Sequence, residues 1–161
     1  MNNLGILSLE VQRMPKDPKI TFGHPANYPY LSVATPSSHD TSTVRGWWEE
    51  NPALSQRFYN EILGNSFSSP FFCEPYIVKQ IIVQHLYSPS MWAIFAIQDL
   101  LGIDGNLRLQ DAGAERINNP GNPNHYWRYR MHLSIEDLLE QTWFNQVLRD
   151  ELKASGRMEI Y

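Results

Sequence analysis

The sequence has one cysteine and no long hydrophobic run. Cys73 lies in the apolar run Phe71-Phe72-Cys73, so no internal disulfide is possible, and a buried structural thiol is favoured over a nucleophile. No segment approaches about 18 uninterrupted apolar residues, and the amino terminus lacks a basic region followed by an apolar stretch. These absences predict a cytoplasmic protein that is neither targeted to a membrane nor inserted in one.

Positive charge is also sparse. The 13 Lys and Arg residues are outnumbered by 17 Asp and Glu, and the formal net charge is −4 at pH 7. Because no Lys/Arg run is present, the sequence argues against a nucleic-acid or anionic-membrane partner and favours a neutral ligand. It contains no GxGxxG, GxxxxGK[ST], HExxH or paired CxxC motif, and its histidines are scattered. We therefore predict no nucleotide cofactor and no metal site.

The composition is that of a globular domain. With 161 residues, of which 42% are hydrophobic and 12% aromatic, the chain is long enough for one domain with a core and too short for several.

The segment that follows Tyr30 is the first candidate for a functional site. Leu31, Val33 and Thr35 alternate with Ser32 and Ala34, which predicts a strand of about five residues that leads into a turn. His39 and Asp40 come directly after this turn. Ligands bind at the carboxyl ends of parallel strands, so this pair could act on a substrate, although a local His-Asp pair is also compatible with a helix cap or a surface pair.

The remaining pattern alternates strands with helices. The period of residues 6–12 predicts an earlier strand whose apolar face carries Leu7, Leu9 and Val11. Four helices are predicted from caps and apolar stripes: Thr41–Thr43 to Trp48, Asn51-Pro52 to Gly64, Glu74-Pro75 to Leu86, and Ser134 to Gly156, the last with a capping box to Asp137 and a Leu133–Leu138 staple.

A second apolar segment also ends in an aspartate. Met91 to Ile97 is continuously apolar, which predicts a strand buried on both faces, and Gln98 and Asp99 follow it. Two successive strands that end in aspartates, at 40 and 99, are typical of a (β/α) barrel that supplies polar groups to one rim.

Three further features are ambiguous. Residues 102–123 are rich in Gly, Asn, Asp and Pro, which predicts a long loop of the kind that forms lids or binding loops. In His125–Arg130, the aromatic and arginine side chains could stack on sugars or on each other. His85 lies beside the apolar face of its helix and is favoured as a hydrogen-bonded structural group over a ligand.

The motif SSHDTSTVRGWWEE at residues 37–50 resembles a segment of the 4-α-glucanotransferases of the amylomaltase (disproportionating enzyme) family. Three other regions agree in the same order along the chain: ILSLEVQRMPKDP at 6–18, PFFCEPYIVKQIIVQHL at 70–86, and IFAIQDLLG, ERINNPG and HYWRYRM between 94 and 131. The SHDTS motif is more similar to the maltose- and glycogen-using branch than to the short bacterial enzymes, whose motif resembles THDND.

This resemblance implies an α/β fold in which residues 1–161 form a C-terminal fragment of the catalytic TIM (β/α)8 barrel, with about three strands and their helices. It implies transfer of α-1,4-glucosyl or glucan units from maltose or maltooligosaccharides to a glucan or glucose acceptor by a retaining mechanism, without a cofactor. Asp40 corresponds to the third acidic residue, which stabilises the transition state, and the predicted substrate-binding residues are His39, Gln98, Asp99, Asn118, Asn119, Trp47 and Trp127.

The motifs for the nucleophilic Asp and the acid/base Glu are not found in this chain, so both are expected upstream of Met1, and the chain alone is expected to be inactive. An alternative is a non-catalytic α-glucan-binding or scaffold fragment, which a GEDLG-like stretch in the upstream reading frame would argue against. An unrelated α/β binding protein is the remaining possibility.

Overall fold

A three-stranded parallel sheet lies at the centre of the protein. A computed structural model describes residues 4–158. The strands are β1 (Ser8–Val11), β2 (Ser32–Thr35) and β3 (Trp92–Ala93), in the order β1-β2-β3, with Ser8 paired to Ser32 and Val33 paired to Trp92. Because both pairings are parallel, the carboxyl ends of all three strands lie at one edge of the sheet. The predicted mixed α/β class is confirmed.

The strand predictions need two corrections. The buried residues of β2 are Ser32, Ala34 and Thr35, whereas Val33 is only half-buried, so the small residues Ser32 and Ala34 face the helices. The prediction of a doubly buried strand over Met91–Ile97 is wrong. Only Trp92–Ala93 pairs with β2, at the edge of the sheet. Trp92 is 56% exposed, because no described residue covers that face of the sheet.

Three helices connect β2 to β3, and their starts agree with the sequence predictions. Thr43 caps α1 (Val44–Glu50) by accepting from the Gly46 amide, and Asn51 caps α2 (Pro52–Glu61) by accepting from the Leu54 amide. The third helix, α3 (Pro75–Leu86), begins with proline at its first position. Gly64, with φ of +71°, ends the α2 region in the left-handed conformation that glycine adopts readily.

The chain after β3 differs more from expectation. Ile97–Leu101 forms the short helix α4, and the predicted long loop contains a 3₁₀ helix at Ala112–Glu115. The predicted last helix is two helices, α5 (Ile135–Glu140) and α6 (Thr142–Ala154), separated at Gln141. The predicted capping box between Ser134 and Asp137 is present at the start of α5.

The hydrophobic core lies on the helix side of the sheet. It joins α1, α2, α3 and α4, and its most enclosed large side chains include Trp48, Phe58, Ile77 and Leu101. Cys73 is fully buried in this core, and burial raises the pKa of its thiol, as expected for an unreactive structural cysteine. Within residues 4–158, no helix is both long and apolar enough to cross a membrane.

Candidate active site

A compact turn after β2 presents His39 and Asp40 at the carboxyl edge of the sheet. The Thr41 amide donates to the Ser38 carbonyl at 3.1 Å, and the Ser38 amide donates to Thr41 Oγ1 at 2.9 Å. Residues 35–37 are buried, whereas the side chains of His39 and Asp40 are 59% and 55% exposed. The turn therefore directs a carboxylate and an imidazole into solvent from a well-anchored backbone.

The Asp40 carboxylate is held on both oxygens. His39 Nε2 lies 3.2 Å from Asp40 Oδ2, and Asn118 Nδ2 donates to Asp40 Oδ1 at 2.8 Å. Asn118 is only 7% exposed, so its amide is a fixed donor that limits the rotation of the carboxylate. The remaining lone pairs of Asp40 face solvent and are available to a polar ligand.

An aromatic side chain borders His39. The Trp127 ring is 60% exposed, and its centroid lies 5.5 Å from that of His39. His125 Nε2 lies 2.9 Å from the Ile117 carbonyl oxygen. This contact connects the segment that carries Trp127 to the segment that carries Asn118. Next to His39, a groove of about 420 Å³ runs over the open face of the sheet, between Leu9, Val33 and Ile94. The arrangement combines polar groups, an exposed ring and an open groove, which are features of small-molecule binding sites.

Gln98 and Asp99 lie near the same edge but below the surface. They belong to α4 and are 2% and 1% exposed. Asp99 Oδ2 accepts from Ser37 Oγ, and Asp99 Oδ1 accepts from the Val44 amide at 2.7 Å. Burial raises the pKa of Asp99, while these two hydrogen bonds and the Arg13 guanidinium oppose that rise. Asp99 contacts the loop that carries Asp40; its predicted contact with substrate stays a prediction.

The other two predicted site residues occupy different surroundings. Trp47 packs into an aromatic cluster, with its ring centroid 5.2 Å from that of Phe58 and 6.2 Å from that of Phe22. Asn119 is exposed, one residue beyond the amide that holds Asp40. The structure thus brings together His39, Asp40, Asn118 and Trp127, and the roles of Trp47 and Asn119 in binding stay predictions.

Three charged residues that the sequence analysis did not single out surround the loop from below. Arg13 donates to acceptors on residues 41–43. Arg45 and Glu115 form a buried ion pair, and Thr43 Oγ1 donates to Glu115 Oε2 at 3.3 Å. The only signal in the sequence was position, because Arg13 directly follows the first predicted strand and Arg45 follows the SHDTS motif.

The described part of the chain contains no group of three or more His, Cys, Asp or Glu side chains that could hold a metal ion. The polar groups of the site are a carboxylate, an imidazole and an amide, which form hydrogen bonds to hydroxyl groups.

The site places an exposed carboxylate, the buried amide that holds it and an exposed aromatic ring at the carboxyl edge of a parallel sheet. This arrangement is typical of the α/β proteins that bind ligands at that edge. The profile of the 4-alpha-glucanotransferase family matches residues 1–135. The chain therefore belongs to the 4-alpha-glucanotransferase family, as the resemblance of its motifs implied.

Individual relatives agree. The 4-alpha-glucanotransferase DPE2 of Oryza sativa subsp. japonica is 41% identical over 157 residues, which cover 98% of this chain and 17% of that protein. A 4-alpha-glucanotransferase of Chlamydia trachomatis serovar D is 34% identical over 122 residues, or 75% of this chain and 23% of the relative. This chain thus spans about a fifth of the length of these two relatives.

A solved structure matches the fold. The amylomaltase from Streptococcus agalactiae, determined in complex with acarbose, superposes with a TM-score of 0.67 and 19% sequence identity. The match covers 98% of this chain and 29% of the amylomaltase chain. At this identity the likeness establishes a common fold.

Proposed function

We propose that this chain forms the part of a retaining 4-α-glucanotransferase that stabilises the transition state. Asp40 is the group on which the proposal depends. It is an exposed carboxylate at the carboxyl edge of a parallel sheet, fixed by Asn118 and His39, in a chain that belongs to the family. A fixed anion beside a sugar ring stabilises the positive charge that develops at the anomeric carbon, and it binds the distorted ring better than the relaxed one.

The neighbouring side chains have matching roles in this proposal. His39 donates a hydrogen bond to a sugar hydroxyl, and Trp127 offers an exposed ring face on which an apolar sugar face can stack. The substrates are α-1,4-glucans, with maltose or a maltooligosaccharide as donor and a glucan or glucose as acceptor. These are neutral, hydroxyl-rich ligands, in keeping with a site that carries one carboxylate and no cluster of cations.

The retaining reaction also needs a carboxylate nucleophile and a carboxylic acid about 5 Å apart. We assign neither group within residues 1–161. Asp99 cannot serve, because its carboxylate is buried and both of its oxygens accept hydrogen bonds from the loop. The proposal therefore places the nucleophile and the acid/base on chain outside these residues.

We infer further that the sheet is part of a (β/α)8 barrel. Three parallel strands in sequential order cannot close a barrel by themselves. Leu9, Trp92 and Ile94 are each more than half exposed on the sheet, which is the side that additional strands of a barrel would cover. The fold likeness to the amylomaltase supports this inference.

The test is Asp40→Asn in the full-length protein encoded by the gene, assayed by glucose release from maltose with glycogen as acceptor. The substitution keeps the shape and the contact with Asn118 but removes the charge, so kcat is expected to fall by about a hundredfold or more while folding is preserved. Asp150→Asn, which removes an exposed carboxylate on α6, is the matched control.

Unaltered turnover in Asp40→Asn would overturn the assignment. The alternative, a non-catalytic glucan-binding protein, predicts a different pattern: no turnover in the wild-type protein, and weaker maltooligosaccharide binding in Asp40→Asn by calorimetry. This alternative is favoured only by the single exposed carboxylate of the candidate site.

A further inference from the structure

Arg13 contacts the Asp40 loop at three points. Its Nη1 donates to the Thr43 carbonyl at 3.1 Å, and its Nη2 donates to Thr41 Oγ1 at 2.9 Å and to the Ser42 carbonyl. These acceptors belong to the three residues that directly follow Asp40. One guanidinium therefore binds all three residues of the segment 41–43.

The position of Arg13 is itself fixed. It follows β1, and its guanidinium carbon lies 5.6 Å from the centroid of the Trp47 ring. Burial lowers the pKa of Arg13 to about 10, so the side chain stays charged at neutral pH. Only arginine offers several donors in a rigid planar fork, and so only arginine can bind the acceptors on Thr41, Ser42 and Thr43 at the same time.

Asp99 contacts both ends of the same loop. It accepts from Ser37 Oγ two residues before His39, and from the Val44 amide at the start of α1. Its carboxylate and the Arg13 guanidinium attract each other, because the charge of Arg13 acts against the rise that burial causes in the Asp99 pKa. The buried Asp99 carboxylate and the partly buried Arg13 guanidinium thus both hold the loop by hydrogen bonds.

Neither residue touches the Asp40 carboxylate, whose polar contacts are with His39 and Asn118. Any effect of Arg13 or Asp99 on the reaction must therefore act through the backbone of residues 37–44. The loop is a polar turn without helix or strand pairing, so these side-chain contacts supply much of what fixes its geometry.

We propose that Arg13 and Asp99 are positioning residues that hold the 37–44 loop, Arg13 at residues 41–43 and Asp99 at the two ends, and thereby set the location of the Asp40 carboxylate. This proposal rests on the proposed function of Asp40. It assigns the β1 and α4 regions a part in holding the Asp40 loop, which is separate from the predicted contact of Asp99 with substrate.

The test uses two variants of the full-length protein, one that removes the contacts of Arg13 with the loop and one that removes a contact of Asp99 with it. Arg13→Gln removes the fork, and Ser37→Ala removes the hydroxyl that donates to Asp99. A carboxylate displaced by about 1 Å costs up to about a hundredfold in rate, so we expect kcat to fall roughly tenfold to a hundredfold in Arg13→Gln and less in Ser37→Ala. Thr41→Ala, which removes one Arg13 acceptor from the loop, replaces Arg13→Gln if that variant does not fold.

Arg57→Gln is the matched control. Its guanidinium carbon also lies over an aromatic ring, 5.9 Å from the Phe22 centroid, but its hydrogen bonds are to Glu61 on α2 and to Thr21, and none is to the loop. This variant is expected to keep the wild-type kcat.

Two readouts distinguish positioning from a general structural role. The KM for maltose should change by less than about threefold, because the groups that bind the sugar remain. Hydrogen exchange of the amides of residues 40–44 should become faster in the variants, while exchange in α3 stays as in the wild type. Wild-type kcat in both Arg13→Gln and Thr41→Ala, or a lower kcat with unchanged loop exchange, would overturn the proposal. If Asp40→Asn is fully active, the proposed function has failed instead.

Discussion

Asn118 and Asp40, 78 positions apart in the sequence, are joined by a hydrogen bond of 2.8 Å from the amide nitrogen of Asn118 to the carboxylate. The amide comes from the ERINNPG segment and the carboxylate from the SHDTS segment, so two of the motifs that relate this chain to its family meet at one atom pair. Because Asn118 is buried, it also excludes water from one side of the Asp40 carboxylate.

The first prediction exploits this contact. Asn118→Asp replaces the donor with a second carboxylate next to Asp40, and two like charges at this distance raise the pKa of one of the pair. We expect the glucan-transfer rate at pH 7 to fall at least tenfold and to recover partly at lower pH. Asn124→Asp adds the same charge at an exposed position of the same loop and should leave the rate unchanged.

A pH–rate profile of Asn118→Asp that is parallel to that of the wild type at all pH values would contradict the prediction. It would show that the charge of residue 118 does not reach Asp40 in the reacting complex.

The second prediction concerns the exposed ring at the edge of the site. Trp127→Ala removes the ring beside His39 on which we propose that a sugar stacks. Aromatic contacts contribute about 1 kcal/mol, so the KM for maltose should rise about fivefold with little change in kcat. Tyr126→Ala is the control, since that ring is also exposed but lies 4.7 Å from the Arg128 guanidinium carbon. Equal effects of the two substitutions would mean that the segment, rather than the Trp127 ring, matters.

Local signals in the sequence predicted the helix starts and the β2 strand correctly, because caps and turns depend on neighbouring residues. Thr43, Asn51 and Ser134 each accept a hydrogen bond from the amide three residues ahead, a local pattern that the sequence signals directly. The strand predicted over Met91–Ile97 was wrong for the opposite reason. Its apolar run predicts burial, but whether such a run becomes strand or helix depends on which neighbours pair with it.

The candidate site shows the same limit. His39 and Asp40 were accessible to sequence reasoning because they are adjacent and follow a strand. The contacts of Arg13 with residues 41–43 and of Glu115 with Thr43 and Arg45 span about 30 to 70 residues, and no periodicity or spacing encodes them. Residues that support a loop through such long-range contacts can be identified only from the folded structure.

The third prediction tests the buried pair beneath the loop. Arg45 is 4% exposed and Glu115 is 2% exposed, and burial raises the pKa of Glu115 against the opposing effect of Arg45. Arg45→Met leaves the Glu115 carboxylate buried without its partner, so the free energy of unfolding should fall by about 3–5 kcal/mol. The double variant Arg45→Met/Glu115→Leu should regain part of this loss in urea unfolding.

Arg57→Met is the exposed counterpart, because it breaks the pair with Glu61 on the surface of α2. It should cost about 0.5 kcal/mol or less. A double variant that is no more stable than Arg45→Met alone would show that the loss comes from the arginine packing and its contacts with the Leu109 and Gln110 carbonyls instead.

His85 provides the last prediction, which concerns stability as a function of pH. The residue is fully buried in α3. Its Nδ1 lies 2.7 Å from the Ile81 carbonyl oxygen, and its Nε2 has no hydrogen-bond partner. Burial between the rings of Tyr28 and Phe95 lowers the pKa of His85 to about 4, and the backbone groups of Ile81 and Thr35 oppose this shift only in part.

The sign follows from where the proton binds. The unfolded chain takes up this proton near pH 6.5, whereas the folded chain takes it up only near pH 4, so the unfolded state holds more protons between these values. The contribution of His85 to the free energy of unfolding should therefore fall by about 3 kcal/mol as the pH is lowered through this window. Asp99 acts in the opposite direction, because the pKa of its carboxyl group is raised in the folded state.

The measurement that isolates His85 is the difference in the free energy of unfolding between the wild-type protein and His85→Leu, determined by urea unfolding from about pH 7.5 to 4.5. Loss of the contact to Ile81 lowers the stability of the variant at every pH, but only the wild type loses stability through His85 on acidification. The difference should therefore shrink or change sign as the pH falls. A wild-type-minus-His85→Leu difference that stays constant over this range would show that the folded protein accommodates a charged imidazole at position 85.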